Sequence, residues 1–412
     1  MISYIIGAVY FVLIFEVLLI INSFRYARRE RNTKRPDYTP KAAIIAPHYG
    51  WDDQTAENVK RLLNQDYAGA YEVFFVTHTK GESGYDESYP HLLEIAKGHP
   101  NVHTLLAPNI VDNSLPRSQK VQNLMTAIET FPNDIEIIAF VDADATIEQD
   151  WLKLLVQPLQ DKKVGATVGA RFYFPHTLNT ASLVEAIWIN FQIALQGDHP
   201  FAMVWGGSNA IRRDSFEQGT VLQRWANATI EDHNLTHTVR DLKRKIHFVP
   251  DCIAVTHTEK RTWKQVIEFT NRQMVMTFRM GLKAQWWGTL LVLLPKALLV
   301  ISSIPFTFYV DRRFLLVLLV PFIEIQSFRI FSRNLPRWLR DMPKIRETLR
   351  AASLVVPVAM LLAGLNAVYA AFQKKIVWGG VRYEILSATE SRVLGRITEA
   401  DRTEVPNGEE SV

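Results

Sequence analysis

Residues 135–150 of the chain read IEIIAFVDADATIEQD, an apolar run rich in β-branched residues that leads into two carboxylates. Strands that are covered on both faces of a sheet have such continuous hydrophobic sequences. Open α/β sheets bind ligands beyond the carboxyl ends of their strands, so we expect Asp142 and Asp144 at a binding crevice. Alternate residues of an extended backbone point to the same side. The two carboxylates are therefore predicted to face one hard cation, which prefers oxygen ligands.

Short apolar runs and helical periodicities alternate on both sides of this strand. Strands are predicted at residues 41–46, 71–77, 101–106, 135–141 and 164–173. Helices are predicted at residues 56–63, 119–131, 180–195 and 263–280, the last of them amphipathic. Alternation of this kind predicts an α/β fold with a doubly wound, mostly parallel sheet.

Long apolar stretches predict an integral membrane protein, because about 20 apolar residues span a bilayer. They cover residues 2–22, 286–310, 314–331 and 351–372. The first is predicted to be a retained anchor, since neither a short charged start nor a clear cleavage site accompanies it. A Lys/Arg cluster follows it, and such an excess marks the cytoplasmic side of a span. We expect the catalytic part to lie in the cytoplasm, at the plasma (inner) membrane.

The last apolar stretches leave the topology open. Lys296 would be costly at the centre of a bilayer, so one stretch is expected to be re-entrant or interfacial. The polar residues 389–412 are predicted to be disordered. The predicted divisions are an anchor at 1–24, a basic linker at 25–40, a catalytic domain at 41–285, a membrane region at 286–386 and a polar tail at 387–412.

Charge and cysteine content bear on the partners and the compartment of the protein. The 46 basic and 42 acidic residues give a net charge of only +4, and the basic residues cluster beside apolar stretches. Nucleic acid is therefore not an expected partner. The single cysteine, Cys252, cannot form an internal disulfide, which fits a reducing compartment for the soluble part.

Two classes of enzyme use a strand that ends in Asp-x-Asp. In a haloacid-dehalogenase-like phosphatase, Asp-x-Asp-x-Thr follows the first strand of the core, and Thr146 completes that pattern here. In a nucleotide-sugar glycosyltransferase, Asp-x-Asp holds a divalent ion against a diphosphate. Here three predicted strands precede the motif, and a Gly-Gly-Ser turn and a paired acid follow it. This order favours the glycosyltransferase.

The order of the motifs resembles that of the ceramide glucosyltransferase family. The motifs are an apolar strand ending at Pro47, Asp86, Gln119-Lys120-x-x-Asn123-Leu124, Asp142-x-Asp144, Trp205-Gly206-Gly207-Ser208 and Glu231-Asp232-x-x-Leu235. The resemblance spans roughly residues 42–280. It implies a GT-A-type sheet with N-terminal and C-terminal transmembrane helices, and a UDP-sugar as the donor.

The resemblance also implies a role for each motif. Asp142 and Asp144 would hold a divalent metal, Mg²⁺ or Mn²⁺, and Asp232 would be the general base that activates an acceptor hydroxyl. The donor would contact Asp86 through its uracil or ribose, and Asp142, Lys120 and Arg272 through its diphosphate. Acceptor-binding residues would be Trp205, Gly206, Gly207, Ser208 and Glu231.

The helix before the membrane departs from the family pattern. Family members and processive polysaccharide synthases carry (Gln/Arg)-x-x-Arg-Trp there, whereas this chain keeps Arg272 but has Val275 and Met276 in place of the last two residues. A synthase also needs a helix-walled channel, but a lipid acceptor needs only a cleft beside the bilayer. We therefore expect inverting transfer of a single sugar to a ceramide-like membrane lipid, with a processive synthase as the alternative.

Overall fold

The computed structural model describes residues 1–81, 84–197, 199, 202–333 and 335–397. The strands are β1 Ala42–Pro47, β2 Tyr71–Lys80, β3 Gly84–Tyr85, β4 Val102–Ala107, β5 Ile137–Val141, β6 Ala145–Thr146, β7 Val164–Val168, β8 Arg171–Pro175, β9 Ser208–Arg212, β10 Lys245–Phe248, β11 Ala254–Thr258, β12 Lys375–Trp378, β13 Val381–Ile385 and β14 Ser391–Arg396.

The α-helices include both short surface turns and long apolar segments. They are α1 Ile2–Asn32, α2 Asp53–Leu63, α3 Ser88–Ala96, α4 Gln119–Ile128, α5 Trp151–Val156, α6 Thr180–Asn190, α7 Arg213–Gln218, α8 Val221–Trp225, α9 Asp232–Asp241, α10 Trp263–Arg279, α11 Lys283–Gly288, α12 Leu294–Tyr309, α13 Leu319–Ser332, α14 Arg337–Arg340, α15 Ile345–Leu354 and α16 Val356–Phe372.

The chain divides into two compact units that are each discontinuous in sequence. The helical unit comprises Met1–Thr33, Phe172–Phe201 and His257–Gln373, and the sheet unit comprises Lys34–Arg171, Ala202–Thr256 and Lys374–Val412. Helices α6 and α10 thus belong with the apolar helices, and the C-terminal strands belong with the sheet. The predicted division of the chain at residue 286 stays a prediction.

The large sheet of the sheet unit runs in the order β10-β7-β9-β5-β1-β2-β3, with β4 also paired to β2. Strand β1 is parallel to both β2 and β5, and β4 is parallel to β2. Strand β9 is antiparallel to β5 and β7, which places an inverted strand inside the sheet. The mostly parallel α/β class predicted from the sequence is confirmed.

Alternation within β1 explains why helices cover both faces of the sheet. Every residue of β1 and β5 is buried. Ile44 packs in a core with residues of α2 and α5, and Ile45 packs in a second core with residues of α4, α8 and α9. A strand with two buried faces must be apolar at every position, which is the pattern that the sequence shows.

Two predicted elements differ from the structure. The predicted strand at residues 164–173 is two strands, because Ala170 has φ +65° and a Cβ at Gly169 would lie 1.9 Å from the carbonyl oxygen of Cys252. The prediction of disorder from residue 389 is wrong for Ser391–Arg396, where burial alternates along a strand. Residues 398–412, the rest of that segment, lie outside the described residues.

Among its described residues, the helical unit contains three helices that are long and apolar enough to cross a membrane: Ile2–Asn32, Lys283–Tyr309 and Arg312–Ser332. The pair Ile345–Leu354 and Val356–Phe372 is bent by 62°, as in a broken span or a re-entrant loop. Pro357 enters the second helix of this pair in its first turn, where its missing N–H interrupts no helical bond. The last apolar stretch is therefore broken. Lys296 lies on α12, directly after the π-helical turn Thr289–Leu293, and is paired with carboxylates.

Candidate active site

The Asp-x-Asp pair lies at the carboxyl end of β5, as the sequence predicts. Asp142 follows Val141 directly, and Asp144 precedes β6. The side chain of Asp142 is 13% exposed and that of Asp144 is 34% exposed. Asp144 is thus the carboxylate of the pair that solvent reaches more easily.

Arg171 joins the two carboxylates, and the sequence analysis did not identify it. Its Nη1 donates to Asp142 Oδ2 at 2.8 Å and its Nη2 donates to Asp144 Oδ2 at 2.5 Å. The Nε of the same guanidinium donates to Thr256 Oγ1 at 2.9 Å, which fixes its plane. An arginine inside a predicted apolar strand is the one signal that pointed to this residue. Its guanidinium bridges two hard oxygen donors as a cation would.

Lys120 connects the pair to the acids of the distant motif. It lies in the first turn of α4, which Ser118 caps by accepting from the Val121 N–H. Lys120 Nζ lies 2.7 Å from Asp142 Oδ1 and 2.6 Å from Glu231 Oε1. Burial alone would lower the pKa of Lys120, but the two carboxylates raise it above its usual value. The ammonium therefore stays charged at neutral pH.

Glu231 and Asp232 stand at the start of α9 and make no side-chain cap of that helix. Asp232 Oδ2 accepts from the Gly206 N–H at 2.9 Å, and its Oδ1 accepts from the His233 N–H at 2.6 Å. Burial favours the neutral acid, but His233, Lys120 and Gly206 hold the pKa of Asp232 below its usual value. Burial raises the pKa of Glu231 against the opposing charge of Lys120. The neighbouring acids thus differ in protonation behaviour.

The Gly206-Gly207 turn lets these charged groups approach the sheet. Gly207 has φ +88°, and a Cβ there would lie 2.4 Å from Arg171 Cδ and 3.0 Å from Asp142 Oδ2. A Cβ at Gly206 would lie 3.1 Å from Glu231 Oε1. The Ser208 hydroxyl is already used, since it accepts from Trp151 Nε1 at 2.9 Å and donates to the Cys252 carbonyl at 2.7 Å.

Trp205, the remaining residue of this turn, is half-buried, and its carbonyl accepts from Asn209 Nδ2 at 3.1 Å. The structure thus brings five of the six predicted acceptor and base residues together with Asp142, and places Trp205 next to them in the chain. Their predicted contacts with an acceptor stay predictions.

The charge of this cluster suits a divalent cation. Asp142, Asp144, Glu231 and Asp232 carry four negative charges when ionised, against two positive charges on Lys120 and Arg171. No group of three or more His, Cys, Asp or Glu side chains among the described residues is arranged to hold a metal. Mg²⁺ is commonly held by one or two carboxylates and completes its shell with water and substrate phosphates. The two hard donors therefore fit such an ion.

The pKa values of the two donors are shifted in opposite directions. Burial would raise the pKa of Asp142, but Lys120 and Arg171 together lower it below its usual value. Burial raises the pKa of Asp144, which has Arg171 as its main opposing charge. A group with a raised pKa loses its charge first as the pH falls, so acid would weaken a metal site at Asp144 before it affects Asp142.

Asp86 shapes a neighbouring loop and is itself fully buried. Its Oδ1 accepts from the Gly50 N–H at 2.8 Å and from Ser88 Oγ at 2.7 Å, and Lys80 Nζ lies 3.0 Å from its Oδ2. Burial opposes ionisation, but these donors hold the pKa of Asp86 below its usual value. Lys80 also lies 4.9 Å from the centre of the Tyr49 ring. The predicted contact of Asp86 with a donor base or ribose stays a prediction.

Arg272 belongs to the helical unit, where its guanidinium lies 5.4 Å from the centre of the Phe269 ring. Val275 and Met276, which replace the family's Arg and Trp, are buried in α10. Arg279 donates to the carbonyl of Gln373 at 2.9 Å and so binds the chain just after α16. Arg279 is thus engaged with backbone in its own unit. The predicted donor contact of Arg272 stays a prediction.

A family model described as glycosyl transferase family 21 matches residues 8–391. No curated protein matches the chain by sequence. Among solved structures, the mannosyltransferase PcManGT from Pyrobaculum calidifontis, in complex with GDP-Man and Mn²⁺, is 16% identical with a TM-score of 0.47, over 89% of this chain and 97% of that chain. GalNAc-T7 with UDP, GalNAc and Mn²⁺ is 12% identical with a TM-score of 0.37, over 58% of this chain and 51% of that chain.

Proposed function

Because the chain belongs to glycosyltransferase family 21, we propose that it moves one sugar from a UDP-sugar to the hydroxyl of a membrane lipid, with inversion at the anomeric carbon. The resemblance to the ceramide glucosyltransferase family is confirmed, and the phosphatase alternative is excluded. The observation that carries the proposal is the gathering of Asp142, Asp144, Lys120 and Asp232 at one end of the sheet.

The donor site is proposed at the carboxyl end of β5. Asp142 and Asp144 would hold Mg²⁺ or Mn²⁺, which supplies Lewis-acid charge to the diphosphate when it is bound. Lys120 is 20% exposed, is held charged by its two carboxylate partners and lies 2.7 Å from Asp142, so it is suited to bind the diphosphate as well. Arg171 would have to share or release its carboxylates when a cation binds, because both of its terminal nitrogens now occupy them.

Asp232 is proposed as the general base. Its lowered pKa keeps it ionised at neutral pH, and its side chain is 12% exposed against 3% for Glu231. The acceptor oxygen would form its bond to the anomeric carbon while the bond from that carbon to the diphosphate breaks. The hydroxyl proton would pass to the Asp232 carboxylate. Attack from the face opposite the leaving group gives the inverted product.

A lipid acceptor is favoured by the composition of the helical unit. Three candidate spans and a bent helix pair accompany the catalytic unit in one chain. A ceramide-like lipid is the acceptor that the family resemblance implies. The Lys/Arg excess after the first span favours a catalytic unit on the cytoplasmic side of the plasma (inner) membrane.

Product identification tests this proposal. The full-length protein in detergent would be incubated with UDP-glucose, UDP-galactose or GDP-mannose, and with ceramide or diacylglycerol, in the presence of Mn²⁺ or a chelator. We expect a lipid that has gained a single hexose, with a UDP-sugar only, and no product with chelator. A polymer that resists organic extraction would show a processive synthase instead, and full activity in chelator would remove the metal from the proposal.

A further inference from the structure

The C-terminal strands β12, β13 and β14 form a small antiparallel sheet of their own. They are the last described segment of the chain, yet they belong to the same compact unit as the carboxylate cluster. Ile376, Tyr383 and Ile385 are each at most 5% exposed, so one face of this small sheet is packed against the protein. The proposed reaction assigns it no role.

One contact of this sheet is with the helix that carries Lys120. The hydroxyl of Tyr383 lies beside the backbone N–H of Gln119, the first residue of α4, and the preceding Ser118 N–H donates to the Ala228 carbonyl at 3.2 Å. The first N–H groups of a helix have no partner within the helix. Burial raises the pKa of Tyr383, so its phenol stays neutral. The start of α4, next to Lys120, therefore contacts both the C-terminal sheet and the segment before α9.

Two further contacts are with the segment that carries Glu231 and Asp232. The backbone N–H and the hydroxyl of Ser391 both donate to the Asn227 carbonyl, each at 2.8 Å. Asn234, which is fully buried in α9, donates from Nδ2 to the Ala388 carbonyl at 2.7 Å. These contacts lie on either side of the two acids in the chain.

Lys120 requires both segments to be fixed at once. Its ammonium reaches Asp142 at 2.7 Å and Glu231 at 2.6 Å, although these acids come from different elements. We propose that the C-terminal strands are a positioning element that fixes the starts of α4 and α9, so that Lys120 bridges Asp142 and Glu231. Tyr383, Asn234 and Ser391 are then positioning residues. The kinetic consequence of this inference rests on the proposed function, but its structural consequence does not.

Amide hydrogen exchange in the full-length protein tests the structural consequence. In Tyr383→Phe, exchange should rise by roughly fivefold or more in peptides covering residues 117–124 and 227–235, because the start of α4 loses its polar contact with the C-terminal sheet and is hydrogen-bonded through Ser118 to the Ala228 carbonyl. Tyr67→Phe is the matched control, since Tyr67 is also buried and donates to the Pro40 carbonyl at 2.5 Å in the same unit. The control should leave both peptides unchanged.

Steady-state kinetics tests the positioning role. Tyr383→Phe should lower kcat by about tenfold and change the donor KM by less than about twofold, because misplacement costs rate more than binding. Ser391→Ala should show a smaller decrease in kcat, again with little change in the donor KM. Ser391→Thr, which keeps the hydroxyl, should have a kcat close to that of the wild type. Ser391→Ala also keeps the experiment informative should Tyr383→Phe fail to fold.

Wild-type exchange rates in both peptides of Tyr383→Phe and Ser391→Ala would overturn the inference. An increase in the Tyr67→Phe control as large as that in Tyr383→Phe would also overturn it. If the wild-type protein transfers no sugar from any donor, the proposed function fails. The exchange result still decides whether the C-terminal strands position the two segments.

Discussion

Arg171 and Asp144 are joined by a direct ion pair of 2.5 Å, and the same guanidinium reaches Asp142 at 2.8 Å. Without the Arg171 guanidinium, Lys120 is the only positive charge among the described residues beside the Asp142 and Asp144 carboxylates. We expect Arg171→Gln to lower the free energy of unfolding by about 2 kcal/mol, less than for a fully buried pair because Asp144 is one-third exposed. Thermal unfolding in detergent measures this loss.

Added Mn²⁺ should raise the melting temperature of Arg171→Gln more than that of the wild type, because the freed carboxylates bind the ion without competition. Arg224→Gln is the matched control, since Arg224 pairs with the exposed Asp241 at 2.7 Å. An equal effect of Mn²⁺ on all three proteins would contradict a cation site at this pair.

Gly207→Ala should disable the site by steric conflict. The new methyl group would lie 2.4 Å from Arg171 Cδ, on a backbone with φ +88°. We expect transfer to fall by about 100-fold and the free energy of unfolding to fall by about 1–3 kcal/mol. Gly98→Ala is the control, because the nearest atom to its new methyl group is 3.8 Å away. Activity in Gly207→Ala equal to that of Gly98→Ala would argue against a close approach at this turn.

His48 should make stability depend on pH. Its ring is 1% exposed, and burial lowers its pKa from 6.5 to about 4, with the Ala46 carbonyl opposing. Between these values the unfolded chain binds a proton that the folded chain does not. This contribution is complete above the unfolded pKa and is lost as the pH falls, by up to about 3 kcal/mol near pH 4.

Chemical unfolding between roughly pH 4 and pH 7 measures this dependence. His48→Phe should remove it while keeping the ring packed beside Phe75. His99→Gln, at an exposed position, should retain it. Parallel stability curves for the wild type and His48→Phe would show that His48 does not cause the loss.

Lys296 should be essential for the helical unit. Its ammonium lies 2.5 Å from carboxylate oxygens of both Glu16 and Glu324. The three side chains come from three different helices, α1, α12 and α13. Lys296→Met leaves two carboxylates uncompensated and should cost about 3–5 kcal/mol. The triple variant Lys296→Met, Glu16→Gln and Glu324→Gln should recover most of the loss. Thermal unfolding in detergent measures the stability of both variants. Equal melting temperatures of the single and the triple variant would contradict the pairing.

The sheet and the acidic motifs could be predicted from the sequence because both depend on local patterns. The buried strands β1 and β5 are continuous apolar runs, β2 contains one at residues 73–76, and Asp142 comes at the end of β5. The Arg171 bridge could not be predicted, because Thr256, which orients it, is 85 residues away. Lys296 and Glu16 are separated by 280 residues. Strand β14 is short and half polar, and its folding depends on contacts with Asn227 that no local pattern reports.

Asp144→Asn separates metal binding from folding. The change keeps the size of the side chain but removes the charge of one proposed metal ligand. We expect metal-dependent transfer to be lost while the melting temperature without metal changes little, because Asp142 still pairs with Lys120 and Arg171. Asp214→Asn, in the first turn of α7 just after β9, serves as an acidic control for transfer. Wild-type transfer by Asp144→Asn would contradict the metal role.

The catalytic assignment of Asp232 is tested most directly by measuring transfer and donor binding together in Asp232→Asn. Removing only the proton acceptor should lower kcat by about 1,000-fold and change the donor Kd by less than about twofold. The amide can still accept the Gly206 N–H, so the turn should hold. Transfer at the wild-type rate, or a loss of donor binding equal to the loss of transfer, would contradict the account that Asp232 activates the acceptor.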